Sequence, residues 1–76
     1  MAMGDLVSER DTERVRKLVI RAAASEFGRG RAKPVFEHGH WWVLVFDEEQ
    51  DRDVTYAVVD AEPGILDTGL DFERVD

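Results

Sequence analysis

Six consecutive apolar residues, Trp41-Trp42-Val43-Leu44-Val45-Phe46, lie between His38-Gly39-His40 and the polar run Asp47-Glu48-Glu49-Gln50-Asp51-Arg52-Asp53. A run this short, rich in aromatic and β-branched residues and fenced by polar loops, predicts a strand and not a helix. Successive side chains of a strand point to opposite faces, so Trp42, Leu44 and Phe46 share one face and Trp41, Val43 and Val45 the other. Both faces are apolar, and such a strand requires cover on both sides. One helix supplies one cover. The residues leave open which face it takes.

That helix is legible upstream. Ser8 reads as its N-cap, with Glu9, Asp11 and Glu13 placing negative charge where the helix dipole favours it. Asp11, three residues after Ser8, makes a weak form of the capping box. Val15, Leu18, Val19, Ala22 and Ala23 recur at spacings of three and four, and Ile20 and Phe27 widen that apolar face. Gly28 is the expected C-cap, so the helix spans residues 8–28 and runs ~28 Å at 1.5 Å per residue.

Residues 29–34 read as a link, and Val35–His38 as a short strand or the start of the long one, with Gly39 a bulge or bend. Val54–Val59 is a second strand, joined to the first in an antiparallel hairpin. Asp60–Gly64 and Asp67–Gly69 are turns, and Leu70–Val75 an edge strand with Leu70 and Phe72 inward. The expected fold is α+β: one N-terminal helix packed on a three- to four-stranded antiparallel sheet. Residues 1–76 form one domain, with 1–7 a loose leader whose Leu6 and Val7 reach the helix entry, and 35–76 the sheet.

This order of elements, with Trp42-Val43-Leu44-Val45-Phe46, then Tyr56-Ala57-Val58-Val59-Asp60-Ala61 and Pro63-Gly64-Ile65-Leu66, resembles the small PepSY-type, cystatin-like domains over about residues 10–66. The resemblance implies a helix-on-sheet fold and a role in restraining or regulating peptidases, largely outside the cytoplasm. The segment Asp67–Asp76 departs from the family pattern.

Seventy-six residues bury only ~60–65% of their unfolded surface. No cysteine is present to supply a disulfide or thiolate metal site, which leaves oligomerisation as the available support. No stretch approaches the ~20 apolar residues of a membrane helix. The N-terminus has neither the basic start nor the apolar core of a signal peptide, so a cytoplasmic location is expected. The net charge is −7, and only Lys17 and Lys33 of the ten basic residues are lysine. This acidic, lysine-poor composition resembles that of proteins from salt-loving microbes. It argues against general binding to nucleic acid or to anionic membranes.

Residue constellations that carry chemistry are sparse. His38 and His40 stand ~6.5 Å apart on one side of an extended segment, a spacing some metal sites use, but no third ligand is specified. They read as two half-exposed histidines at a strand entry. Asp47, Glu49, Asp51 and Asp53 alternate as in a calcium loop, yet its glycine and bidentate glutamate positions hold Arg52 and Val58. Gly28-Arg29-Gly30-Arg31 follows a helix where a phosphate loop opens one. Ser8 and Ser25 have no base placed to activate them, and Asp60 and Glu62 read as turn residues. No catalytic residue, metal ligand or cofactor is therefore expected.

Two surfaces remain. Arg10, Arg14, Lys17 and Arg21 form a basic stripe along the helix, which reads first as a solvated face partly paired with Glu13 and second as a site for phosphates or nucleic acid. The charge is unevenly divided, with eight basic and five acidic residues in 1–33 against two and twelve in 34–76. The second surface is the uncovered face of the central strand, drawn from Trp41, Val43, Val45, Trp42 and Leu44. An apolar patch there predicts a homodimer. The expected function is that of a small, acidic, non-enzymatic interaction module.

Overall fold

The computed structural model describes residues 6–8, 10, 12–60 and 69–75. Helix α1 (Glu13–Phe27) lies on a four-stranded antiparallel sheet of β1 (Ala32–Glu37), β2 (His40–Asp47), β3 (Arg52–Asp60) and β4 (Leu70–Arg74). The strands follow one another in space as in sequence, β1-β2-β3-β4. This is an α+β fold, and β2 with β3 forms its centre. No described helix is long and apolar enough to cross a membrane.

The helix starts later than Ser8. Its N-cap is Thr12, whose backbone is extended and whose hydroxyl accepts from the Val15 amide at 3.3 Å. Arg10 stands outside the helix, and the Thr12 amide donates to the Arg10 carbonyl at 2.7 Å. With 15 residues, α1 is ~22 Å long. Its apolar stripe buries Val15, Val19, Ala22 and Ala23, with Leu18 and Phe27 packed at the margin. Ile20 does not widen the stripe, for it is 46% exposed. Gly28 ends the helix at φ 100°, its amide bonded to the Ala24 carbonyl at 3.0 Å. That backbone region is open chiefly to glycine, and an added Cβ would also press on Arg31 Cδ at 3.1 Å.

The helix covers the Trp41 face of β2. Trp41 is 1% exposed and Val43 is fully buried, and both join α1 in the core, with Val45 packed against it. Phe36 meets the Trp41 ring edge-on at 5.4 Å, and the Arg16 guanidinium lies 6.0 Å from its centroid. At the other end of the helix, Phe27 packs on Tyr56 at 4.8 Å and on Phe72 at 5.2 Å. Leu70 is buried and Phe72 points inward, as the alternation of the last strand predicts.

Three local expectations are corrected. The stretch read as a link is partly strand, since β1 takes in Ala32, Lys33 and Pro34. Proline is tolerated there because β1 is an edge, where one missing N–H need cost no ladder bond. Gly39 marks a bend and not a bulge: His38 (φ 54°) and Gly39 (φ 78°) are the two central residues of the tight β1–β2 turn closed by the pair Glu37↔His40. Positive φ at both positions is the type I′ pattern, whose twist matches that of the flanking strands. Leu6 and Val7 are tied into the sheet and do not belong to a loose leader. The β2–β3 register ends at Trp42↔Ala57, and beyond it the Val7 amide donates to Val58 O while its carbonyl accepts from Trp41 N, both at 2.9 Å. Leu6 makes a single bridge to Val59. The expected turns at 61–68 lie outside the described residues.

The β2–β3 loop is built on a carboxylate. Asp47 Oδ1 accepts from the Glu49 amide at 2.9 Å and the Gln50 amide at 3.3 Å, and Asp51 closes the loop at φ 53°. Asp47 therefore shapes the turn with its acceptor atoms, and Arg52 Nε adds a bond to Gln50 Oε1 at 2.8 Å.

Candidate functional site: the open face of the sheet

With Trp41, Val43 and Val45 under the helix, strand alternation places Trp42, Leu44 and Phe46 on the opposite face. The register brings Val35 and Ala57 beside Trp42 on either side, and Lys33 and Thr55 beside Leu44. Val35, Trp42 and Leu44 are half-buried there with no described element packed over them, whereas Ala57 and Val59 on the same face are buried. The face holds a shallow trough floored by Val35, Trp42 and Leu44, with Lys33 and Glu37 along one rim and Thr55 on the other. Phe46, at the far end of β2, is 46% exposed.

Trp42 is held in place. Its indole Nε1 donates to the Glu37 carbonyl at 2.9 Å, across the tight turn from its own strand. The His40 ring meets the indole edge-on at 5.9 Å. The bond uses up the one polar atom of the side chain and leaves a half-buried, apolar ring on this face. A fixed ring loses little conformational entropy on contact with a partner, which is why rigid aromatics serve well as anchors.

Charge on this face is divided by strand. On β1, Lys33 and Glu37 flank Val35, each two residues away and on the same face by the pleat. On β4, Asp71 and Glu73 are both exposed and both acidic. One edge of the face thus carries both signs and the other only negative charge.

The structure separates the five sequence candidates for an interface. Trp42 and Leu44 lie on the open face, whereas Trp41 and Val43 are buried in the core beneath the helix, with Val45 packed against it. Phe46 shares the face with Trp42 and Leu44, as its place in β2 predicts, and Val35, Lys33 and Glu37 belong to it without having been singled out. Their signal was the alternation of β1, which Pro34 obscured. The histidine pair dissolves as well, because His38 sits in the turn and only His40 is in strand, so the two imidazoles do not share one side of an extended segment. Among the described residues no three His, Asp or Glu side chains come together to hold a metal ion.

The basic stripe shortens. Arg14, Lys17 and Arg21 follow the outer side of α1 and share a shallow groove with Leu18, but Arg10 lies ahead of the helix. Lys17 Nζ pairs with Glu13 Oε1 at 3.2 Å, with both side chains well exposed. Such a pair is worth little and yields readily to another anion.

Neither a protein-family model, nor a curated protein, nor a solved structure matches the chain.

Proposed function

We propose that this chain is a non-enzymatic, cytoplasmic interaction module that pairs with a second copy of itself through the open face of its sheet. The observation that carries this reading is the apolar row of half-buried Val35, Trp42 and Leu44 running on to exposed Phe46, with the Trp42 indole held by its own hydrogen bond. Exposed apolar surface of this kind on a small domain marks a contact. A chain without cysteine, too short for a large core, gains most from such a partner.

The face is small. Four strands at ~4.8 Å spacing give it a width of ~14 Å between the outer strand axes, which places a face-to-face contact at the low end of specific interfaces. The dimer is therefore weak, in the micromolar range. Size exclusion with light scattering, run from about 10 µM to 1 mM, tests it. The wild type is expected to move from monomer to dimer across that range, and Leu44→Asp to remain a folded monomer throughout. A wild type that stays at one chain's mass at 1 mM ends the proposal.

A second reading rests on the groove shared by Arg14, Lys17 and Arg21, which suits a phosphorylated ligand or nucleic acid. Contacts of that kind release counterions, so binding falls steeply between 50 and 200 mM salt. Arg14→Glu with Arg21→Glu is expected to abolish any binding to a labelled oligonucleotide at low salt. Binding that ignores both salt and these substitutions rules the groove out.

A further inference from the structure

We infer that the two copies meet with their β1 strands antiparallel, about a two-fold axis that crosses the strands level with Val35 and Trp42, so that Lys33 of each copy faces Glu37 of the other. This rests on the open face being the self-association surface and specifies how the partner is oriented on it.

Two symmetric ways of stacking the face on itself differ in charge. Lys33 and Glu37 stand four residues apart on one strand, ~13 Å, with Val35 midway. An axis across the strands at Val35 reverses the strand direction. It lays β1 over β1, brings Lys33 onto the partner's Glu37 twice, and stacks the two Trp42 indoles near the axis. An axis along the strands through the middle of the sheet lays β1 over β4 instead. The register places Val35, Trp42, Ala57 and Glu73 at one level across the sheet, and Val59 beside Asp71. That second orientation sets Val35 against the partner's Glu73, and Glu37 near the partner's Asp71, twice.

The first orientation has two opposite-charge pairs and one like pair, Glu73 with its mate. The second has two like pairs and leaves Lys33 without a carboxylate. Glu73 is exposed on the edge strand, so in the first orientation the like pair sits at the rim and stays hydrated. Charge placement of this type sets register and excludes wrong orientations more than it adds affinity.

Charge reversal tests this by sedimentation equilibrium at about 50 mM salt, with circular dichroism as a check on folding. Lys33→Glu and Glu37→Lys each turn two attractive pairs into two repulsive ones, and each variant is expected to dimerise about ten-fold more weakly than wild type. Mixed in equal amounts, the two variants form a heterodimer in which both pairs are again opposite. Its affinity is expected within about two-fold of wild type. The doubly reversed chain, with both changes, behaves likewise. If Glu37→Lys tightens the dimer, or the mixture is no tighter than either variant alone, the antiparallel stack is wrong. The open face itself still stands in that case, provided Leu44→Asp remains a monomer. If wild type never dimerises, the stack and the face reading fall together.

Discussion

At the residue scale, the least expected position is His38. It holds φ 54° in a turn where asparagine or glycine is the usual occupant, and left-handed backbone costs an ordinary residue about 1 kcal/mol. His38→Asn is accordingly expected to stabilise the fold by about 0.5–1 kcal/mol. In a domain of this size that raises the melting temperature by roughly 2–8 °C, measurable by circular dichroism. An unchanged or lower melting temperature would mean that the imidazole makes a compensating contact. Glu37, beside it, has two roles: its carbonyl fixes the Trp42 indole through the backbone, and its carboxylate lies at the rim of the open face. Because the first role is carried by the backbone, the side chain can be reversed in charge without releasing the indole.

At the element scale, β2 decides the architecture because its two faces are both apolar and meet different fates. Val43 and Leu44 are neighbours in sequence and opposite in role: Val43 is fully buried under α1, and Leu44 is half-buried on the open face. Aspartate at the two positions is therefore expected to act differently. Val43→Asp places an unpaired charge in the core, costs several kcal/mol, and unfolds a domain whose whole stability is of that order. Leu44→Asp keeps the circular dichroism and melting temperature close to wild type and removes only self-association. Equal loss of structure in both would overturn the assignment of faces. The N-terminal segment belongs to this scale too. Val7 occupies the gap where β2 and β3 part, satisfying Trp41 N and Val58 O, which would otherwise be unpaired beside the core.

For the whole molecule, charge and association pull against each other. A dimer doubles a net charge of −7 on a surface whose β4 edge is already acidic. Self-repulsion of this kind is screened by salt, and salt also strengthens apolar burial when the anion is a kosmotrope. The wild-type dimer is thus expected to tighten severalfold between about 50 mM and 1 M sodium sulfate. At the same time the ten-fold penalties of Lys33→Glu and Glu37→Lys shrink toward unity. A dimer that loosens steadily with salt would mean that ion pairs, and not the Trp42 patch, hold it together. The division of charge between the helix side and the sheet side is the reason the two proposed surfaces are expected to respond oppositely to salt.

The sequence by itself determined the elements and their order. Periodicity marks Val15, Val19 and Ala22 as one helical face, and the polar fence around residues 41–46 marks a strand, because both signals are local. Gly28 as helix terminus and Leu70 with Phe72 as inward residues are legible for the same reason. What only the tertiary structure decided is which face of β2 lies under the helix. Trp41, Val43 and Val45 and the set Trp42, Leu44 and Phe46 are equally apolar, and no local rule ranks them. Position breaks the tie: Trp41 lies where Val7, Phe36 and α1 close a core around it, while the Trp42 indole finds an acceptor in the Glu37 carbonyl across a tight turn. The same dependence on distant partners hid the first half of β1, where Pro34 is tolerated because the strand is an edge, and the cap at Thr12. Local pattern fixes what an element is; the competition of faces and edges for cover, settled through contacts far apart in the chain, fixes where its surface is left open.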